Sequence, residues 1–127
     1  MKLLVYGRDI VIQRIKAVLY KSGIEVYEIS WDSLSSRENG KHYDLAIVDM
    51  SAEKAEIACR IIGKTHNIPL ILIIKQGQTD WAYLDSLNAA GFIPDTFSKN
   101  ELIARLNAIT RRNKANQTDY SETIRAS

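Results

Sequence analysis

Cysteine is nearly absent from this 127-residue chain, and the single Cys59 excludes an intramolecular disulfide; no second thiol or paired histidine beside it supplies metal-ligand spacing. Long apolar runs are missing too. Nothing approaches the roughly 20 residues of a membrane helix, and the opening MKLLVYG is interrupted by Arg8 too early for a secretion signal. Charge of one sign is also lacking: seventeen Lys and Arg face fifteen Asp and Glu, a formal net charge of +2. Nucleic-acid contact would therefore need a local patch, and none is expected from composition. There is no internal repeat, no Walker pattern and no glycine-rich phosphate loop, Gly7 standing alone. His42 and His66 have no acid or thiol constellation around them and read as surface histidines. A disulfide scaffold, a membrane span and a conventional enzyme are thereby set aside, and a cytoplasmic protein is expected. What is present, 46% apolar and 25% charged residues, suits one soluble globular domain.

Short β-type runs alternate with segments of helical period. Leu3-Leu4-Val5-Tyr6 opens the chain, and Val11, Ile12, Ile15, Val18 and Leu19 follow at helical spacing. Asp9 is placed to cap that helix and Gly23 to end it, before an extended run from Ile24 to Ile29. Residues 31–43 have weak periodicity and read as a distorted helix or long loop. The run 44–49 is apolar between its bracketing acids Asp44 and Asp49, and 68–74 is a continuous apolar run, as expected of parallel strands buried on both faces. Between them Ala55, Ala58, Ile61 and Ile62 mark a helix face, with Ser51 available as its cap. Another helix is predicted from Asp80 to Ala90, a fifth strand from Phe92 to Phe97, and a capping box at Ser98-Lys99-Asn100-Glu101 before a last helix carrying Leu102, Ile103, Leu106 and Ile109. After Arg111-Arg112 the apolar period is lost, so residues 1–112 form the domain and 113–127 a polar tail or linker. Alternation of this kind implies an α/β fold, a flavodoxin-like doubly wound five-stranded parallel sheet with helices on both faces. Ligands in such sheets gather at the carboxyl ends of the strands, at Gly7-Arg8-Asp9, Asp49, Ile74-Lys75-Gln76 and Ser98-Lys99.

The order and spacing of KLLVYGRD, GIEVYEI, DLAIVDM, IPLILII and GFIPDTFSKNELIARLNAITRR resemble the receiver domain of two-component response regulators (CheY-like) over residues 2–112. The resemblance implies that Asp49 occupies the phosphoacceptor position. It also implies several departures. Gly7 and Arg8 stand where the family has two adjacent acids for Mg²⁺, leaving Asp9 as the neighbouring acid. Ile74 replaces the family's Ser or Thr, Lys75 replaces a small residue, and Ser98 or Lys99 falls on the family's lysine without the following proline. Thr96 or Asp95 occupies the aromatic switch position.

Replacing an acid by arginine changes the local charge by two units. An opposite-charge pair at about 4 Å is worth about 4 kcal/mol at an effective dielectric near 20, before desolvation, which is enough to disfavour a divalent cation. Arg8 is therefore expected beside Asp49 in place of a metal, with Asp9, Ile74, Lys75 and Lys99 around the pocket and no cofactor. The alternative for Arg8 is a solvated side chain; for Asp49 it is a cap on the following loop.

An interaction module acting without phosphate, through dimerisation and control of transcription, is the leading expectation. The resemblance implies a homodimer face from the family's fourth helix, fifth strand and fifth helix: here Trp81, Tyr83 or Leu84, Asp85, Asp95, Arg105, Arg111 and Arg112, with Asp95 and Arg105 pairing between copies. The tail is similar to the linker by which winged-helix response regulators carry a DNA-binding effector domain. Two other functions compete: a true phosphoacceptor in which Asp9 and Asp49 hold a weakened Mg²⁺ site, and an anion or small-ligand binder using Arg8, Lys75 and Lys99.

Overall fold

Each extended run of the sequence becomes a strand in a computed structural model of the chain: β1 (Lys2–Tyr6), β2 (Glu25–Glu28), β3 (Leu45–Asp49), β4 (Leu70–Ile74) and β5 (Gly91–Pro94). The structure describes residues 1–34, 42–77 and 80–126, with side chains described except at 81 and 113–126. All pairings are parallel and the strand order is β2-β1-β3-β4-β5. This is the flavodoxin-like doubly wound order, whose switch point lies between β1 and β3.

Among the described residues three α-helices connect strands, α1 (Asp9–Val18), α2 (Ala55–His66) and α3 (Trp81–Asp85), and a fourth, α4 (Lys99–Ala126), follows β5. Alternation along the strands divides the core into two layers. Leu3, Val5, Leu45, Ile47, Ile71 and Ile73 face Val11, Ile12 and Ile15 of α1 and Leu102, Leu106 and Ile109 of α4. The intervening residues Leu4, Tyr6, Ala46, Val48, Leu70 and Leu72 face Ala55, Ala58 and Ile62 of α2 with Leu84 and Leu87. Because β3 and β4 are covered on both sides, every one of their residues is buried.

Several boundaries differ from expectation. Arg8, in an extended conformation, is the residue before α1, and Asp9 begins the helix instead of capping it. A carboxylate in the first turn still meets the positive end of the helix dipole. Ser51 does not cap α2, whose preceding residue is Lys54 in the left-handed region. The segment predicted as helix from Asp80 to Ala90 is helical only over α3, where Asp80 accepts from the Tyr83 amide at 3.2 Å. Beyond it the chain tightens: Leu87 and Asn88 amides bond back three residues, the Ser86 hydroxyl donates to the Tyr83 carbonyl, and Asn88 turns left-handed. The fifth strand, predicted over 92–97, spans Gly91–Pro94, and Phe97 lies in the turn that follows. Of the stretch 31–43, Trp31–Ser33 form a 3-10 turn, and 35–41 lie outside the described residues. The capping box forms: Ser98 Oγ accepts from the Glu101 amide at 3.1 Å, and Glu101 accepts from the Ser98 amide at 3.4 Å. The helix that it starts continues past Arg112 to Ala126, so the segment read as a polar tail is helical in its backbone. No helix among the described residues is long and apolar enough to cross a membrane.

Candidate functional site

The strand register places β1 Tyr6 opposite β3 Val48, so that Gly7 follows directly beside Asp49 at the switch point. Asp49 is 1% exposed and is the one charged side chain in the buried core of the described residues. A carboxylate so placed needs hydrogen-bond donors for its lone pairs. Oδ2 accepts from Arg8 Nε at 2.8 Å and from the Arg8 amide at 3.1 Å; Oδ1 accepts from the Ser51 amide at 3.0 Å and from Arg8 Nη2 at 3.4 Å. The guanidinium thus grips both oxygens in the forked geometry that arginine favours, and two backbone amides complete the set.

Arg8 is held above its ordinary pKa by its hydrogen bond to Asp49 first, then by the Asp49 charge, with a smaller contribution from Asp95, and desolvation opposes the shift. Its side chain remains 45% exposed, so solvent screens its outer edge. Asp49 also closes the turn after β3 through Ser51, the loop-capping role that competes with phosphoacceptance. One residue thereby serves both arrangements.

Gly7 carries a steric consequence that the sequence does not signal. A Cβ at this position would lie 2.5 Å from Asp49 Cβ. The acid that the resemblance would put at position 7 has no room in this backbone. Asp9, the remaining acid, is exposed on α1 and accepts from Gln13 at 3.4 Å. Mg²⁺ demands near-octahedral oxygen ligands. With an arginine on both Asp49 oxygens, glycine at 7 and Asp9 engaged elsewhere, the residues present do not fit that ion.

The rest of the predicted pocket is only partly assembled. Ile74 is buried at the end of β4, where its carbonyl accepts from the Asp95 amide at 2.8 Å, and its side chain has no hydroxyl to offer a phosphoryl group. Lys75 and Lys99 are exposed and make no ion pair among the described residues. For Lys99 the reason is the early end of β5: four residues separate Pro94 from the start of α4, so the lysine opens a helix instead of closing a strand.

Of the face expected to pair between copies, Asp85, Arg105, Arg111 and Arg112 are exposed on α3 and α4. The Trp81 side chain lies outside the described residues. Leu84 is in the core, and Tyr83 is half-buried with its hydroxyl donating to Glu56 at 3.0 Å. Asp95 is half-buried and acts on Arg8 through its charge. His66, read as a surface histidine, is half-buried edge-on to Tyr43 at 5.5 Å; His42 is exposed.

Arg14 was not singled out by its sequence position. It donates to the carbonyls of Asp95 and Phe97 and stacks over the Phe97 ring at 4.2 Å, tying α1 to the β5–α4 turn. No short-range pattern links residues 14 and 97; only the packing of α1 beside α4 brings them together.

This strand order, with an aspartate buried at the carboxyl edge of the central strand, defines a flavodoxin-like class of α/β domain. Solved structures with the same fold include response-regulator receivers. The receiver domain protein from Clostridium thermocellum is 26% identical, with a TM-score of 0.73 over 90% of this chain and 97% of that one. The N-terminal domain of a response regulator/sensory box/GGDEF protein from Carboxydothermus hydrogenoformans is 17% identical, with a TM-score of 0.77 over 91% and 98%. NtrX from Brucella abortus, in complex with ATP, is 19% identical with a TM-score of 0.81, over 94% of this chain but 29% of its own. No family model and no curated protein matches the sequence. The chain has the fold of response-regulator receiver domains.

Proposed function

We propose that this receiver domain works without phosphorylation, with the Arg8 guanidinium standing where the family would hold Mg²⁺. The observation that carries the reading is the saturation of Asp49: both oxygens are engaged by Arg8 and by backbone amides, in a side chain that is 1% exposed. Attack on a phosphoryl donor needs a free carboxylate oxygen and a cation bridging it to the incoming phosphate. Arg8 uses the first and excludes the second. With Ile74 in place of a hydroxyl, a phosphoryl group would also lack its reporter.

Output then passes through contacts between copies. In this proposal, α3, β5 and α4 form the homodimer face, with Asp85, Asp95, Arg105, Arg111 and Arg112 supplying mixed charges that suit a two-fold pairing. The domain acts as a non-enzymatic signalling module that controls transcription through a DNA-binding effector domain following residues 113–127.

Intact-mass analysis after incubation with acetyl phosphate and excess Mg²⁺ tests the reading, with Asp49→Ala as control. No adduct is expected. An adduct that disappears in the control would overturn the proposal and make Asp49 a true phosphoacceptor. Sedimentation of Arg105→Glu against the parent chain tests the pairing: the variant should shift toward monomer, and an unchanged monomeric profile in both would remove this face as the interface.

A further inference from the structure

At the opposite end of the sheet from Asp49, a cleft of about 410 Å³ opens between the second half of α2 and the turn after α3. Its lining is about equally apolar, with Leu70, Leu87, Ile68 and Cys59, and polar, with Lys64 and Asn88 among the polar side chains. A space of this size, with apolar side chains beside convergent polar groups, is large enough to take a small molecule.

Gly63 is the second and independent observation. It occupies the interior of α2, where glycine is the poorest helix former after proline. Its backbone is not in the left-handed region. A Cβ built on it meets nothing within 4 Å, so no neighbour demands the missing side chain. The space it leaves is the cleft itself, which Gly63 lines. An alanine would favour the helix and a larger side chain would close the cavity.

The rim sets the chemistry of the occupant. Arg60 and Lys64 project from successive turns of α2; Arg60 is paired with Glu56 at 3.2 Å, whereas Lys64 makes no ion pair among the described residues. Asn67 and Asn88 bring side-chain amides from left-handed turns at the two sides. One uncommitted cation beside an apolar floor matches a ligand with one negative charge and an apolar body.

We propose that this cleft binds a small monocarboxylic acid, its hydrocarbon or ring body seated over Gly63 and its carboxylate on Lys64. The site is separate from the Asp49 pocket and, although it adjoins the α3 end of the face proposed for dimerisation, takes none of the charged residues named for that face, so it stands or falls independently of the proposal that the domain works without phosphorylation.

Amide-resolved NMR titration of the full chain with benzoate and hexanoate, beside the neutral benzamide and hexanamide, tests it. The acids should shift the backbone amides of Gly63, Leu70 and Asn88 and bind about tenfold more tightly than their amides, the loss expected of one charge-assisted contact. Lys64→Gln should remove that preference without weakening the neutral probes. Gly63→Leu should abolish binding of all four while the melting temperature holds or rises, and Gly63→Ala, which adds one methyl, serves as a second variant should the leucine distort the helix. The inference is overturned if the acids leave these amides unmoved, if acids and amides bind equally, or if Gly63→Leu folds and binds like the parent chain.

Discussion

The two ends of the sheet treat their open space in opposite ways. At the carboxyl end, where doubly wound folds keep their ligand crevice, the chain fills the crevice with its own groups: Arg8 and two amides saturate Asp49, and glycine at 7 lets β1 close against it. At the amino end a glycine inside a helix borders a cleft that nothing among the described residues occupies. A small residue therefore means close approach in one place and vacancy in the other. What separates them is the distance from a would-be Cβ to its nearest neighbour: 2.5 Å at Gly7, and beyond 4 Å at Gly63.

Breaking the closed end has the largest expected effect. Gly7→Asp, which would rebuild one acid of the family's pair, drives its Cβ into Asp49, and a loss of about 3 kcal/mol is expected from overpacking before any charge repulsion. Urea denaturation measures it; stability equal to the parent would mean that the crevice can relax. The ion pair comes next. A double-mutant cycle with Arg8→Gln and Asp49→Asn should give a coupling of about 1–2 kcal/mol, above an ordinary surface pair because Asp49 is buried, but moderated because Arg8 is half-exposed. Coupling near zero would reduce Arg8 to a solvated cap and weaken its role as a metal substitute.

Cys59 lies beside the open end yet is itself buried, and desolvation pushes its thiol up to about 12 from 9.0. The folded state therefore holds this proton more tightly than the unfolded chain does. Stability from this group is full below about pH 9 and is lost as pH rises toward 12, about 1 kcal/mol by pH 10. Tyr6 and Tyr83, also raised mainly by burial, act in the same direction. Denaturation between pH 8 and 10.5 should show a smaller fall in Cys59→Ala than in the parent chain; equal slopes would mean that the thiol is hydrated. The smallest effect is at the cleft, where Gly63→Ala should stabilise the chain by about 0.5–1 kcal/mol, since the methyl meets open space and the helix gains propensity. A destabilised variant would show that the cleft is closed in solution.

The strands were the most legible part of the sequence. Runs such as LAIV and LILII are apolar at every position because both faces are covered, and that pattern survives in one dimension. The capping box before α4 was equally readable, because all of its bonds are local. The helix after β4 was not. Its residues have helical propensity, but Ser86 and Asn88 bond backbone groups within three residues and cut it to Trp81–Asp85. At the site, the spacing of strand ends pointed to Arg8 and Asp49 together, whereas Lys99 was misplaced by reading β5 three residues too long.

By itself the sequence determined the strand and helix alternation, the parallel sheet, the aspartate at the end of β3 and the loss of the acids and hydroxyl that the family uses, because each is written in residue type and short-range period. Tertiary structure alone decided that Arg8 reaches both oxygens of Asp49, that Gly7 admits no side chain, that Arg14 clamps the β5–α4 turn, and that Gly63 borders a cavity. All four depend on distances between residues far apart in the chain, which the packing of helices on the sheet fixes and no local pattern encodes.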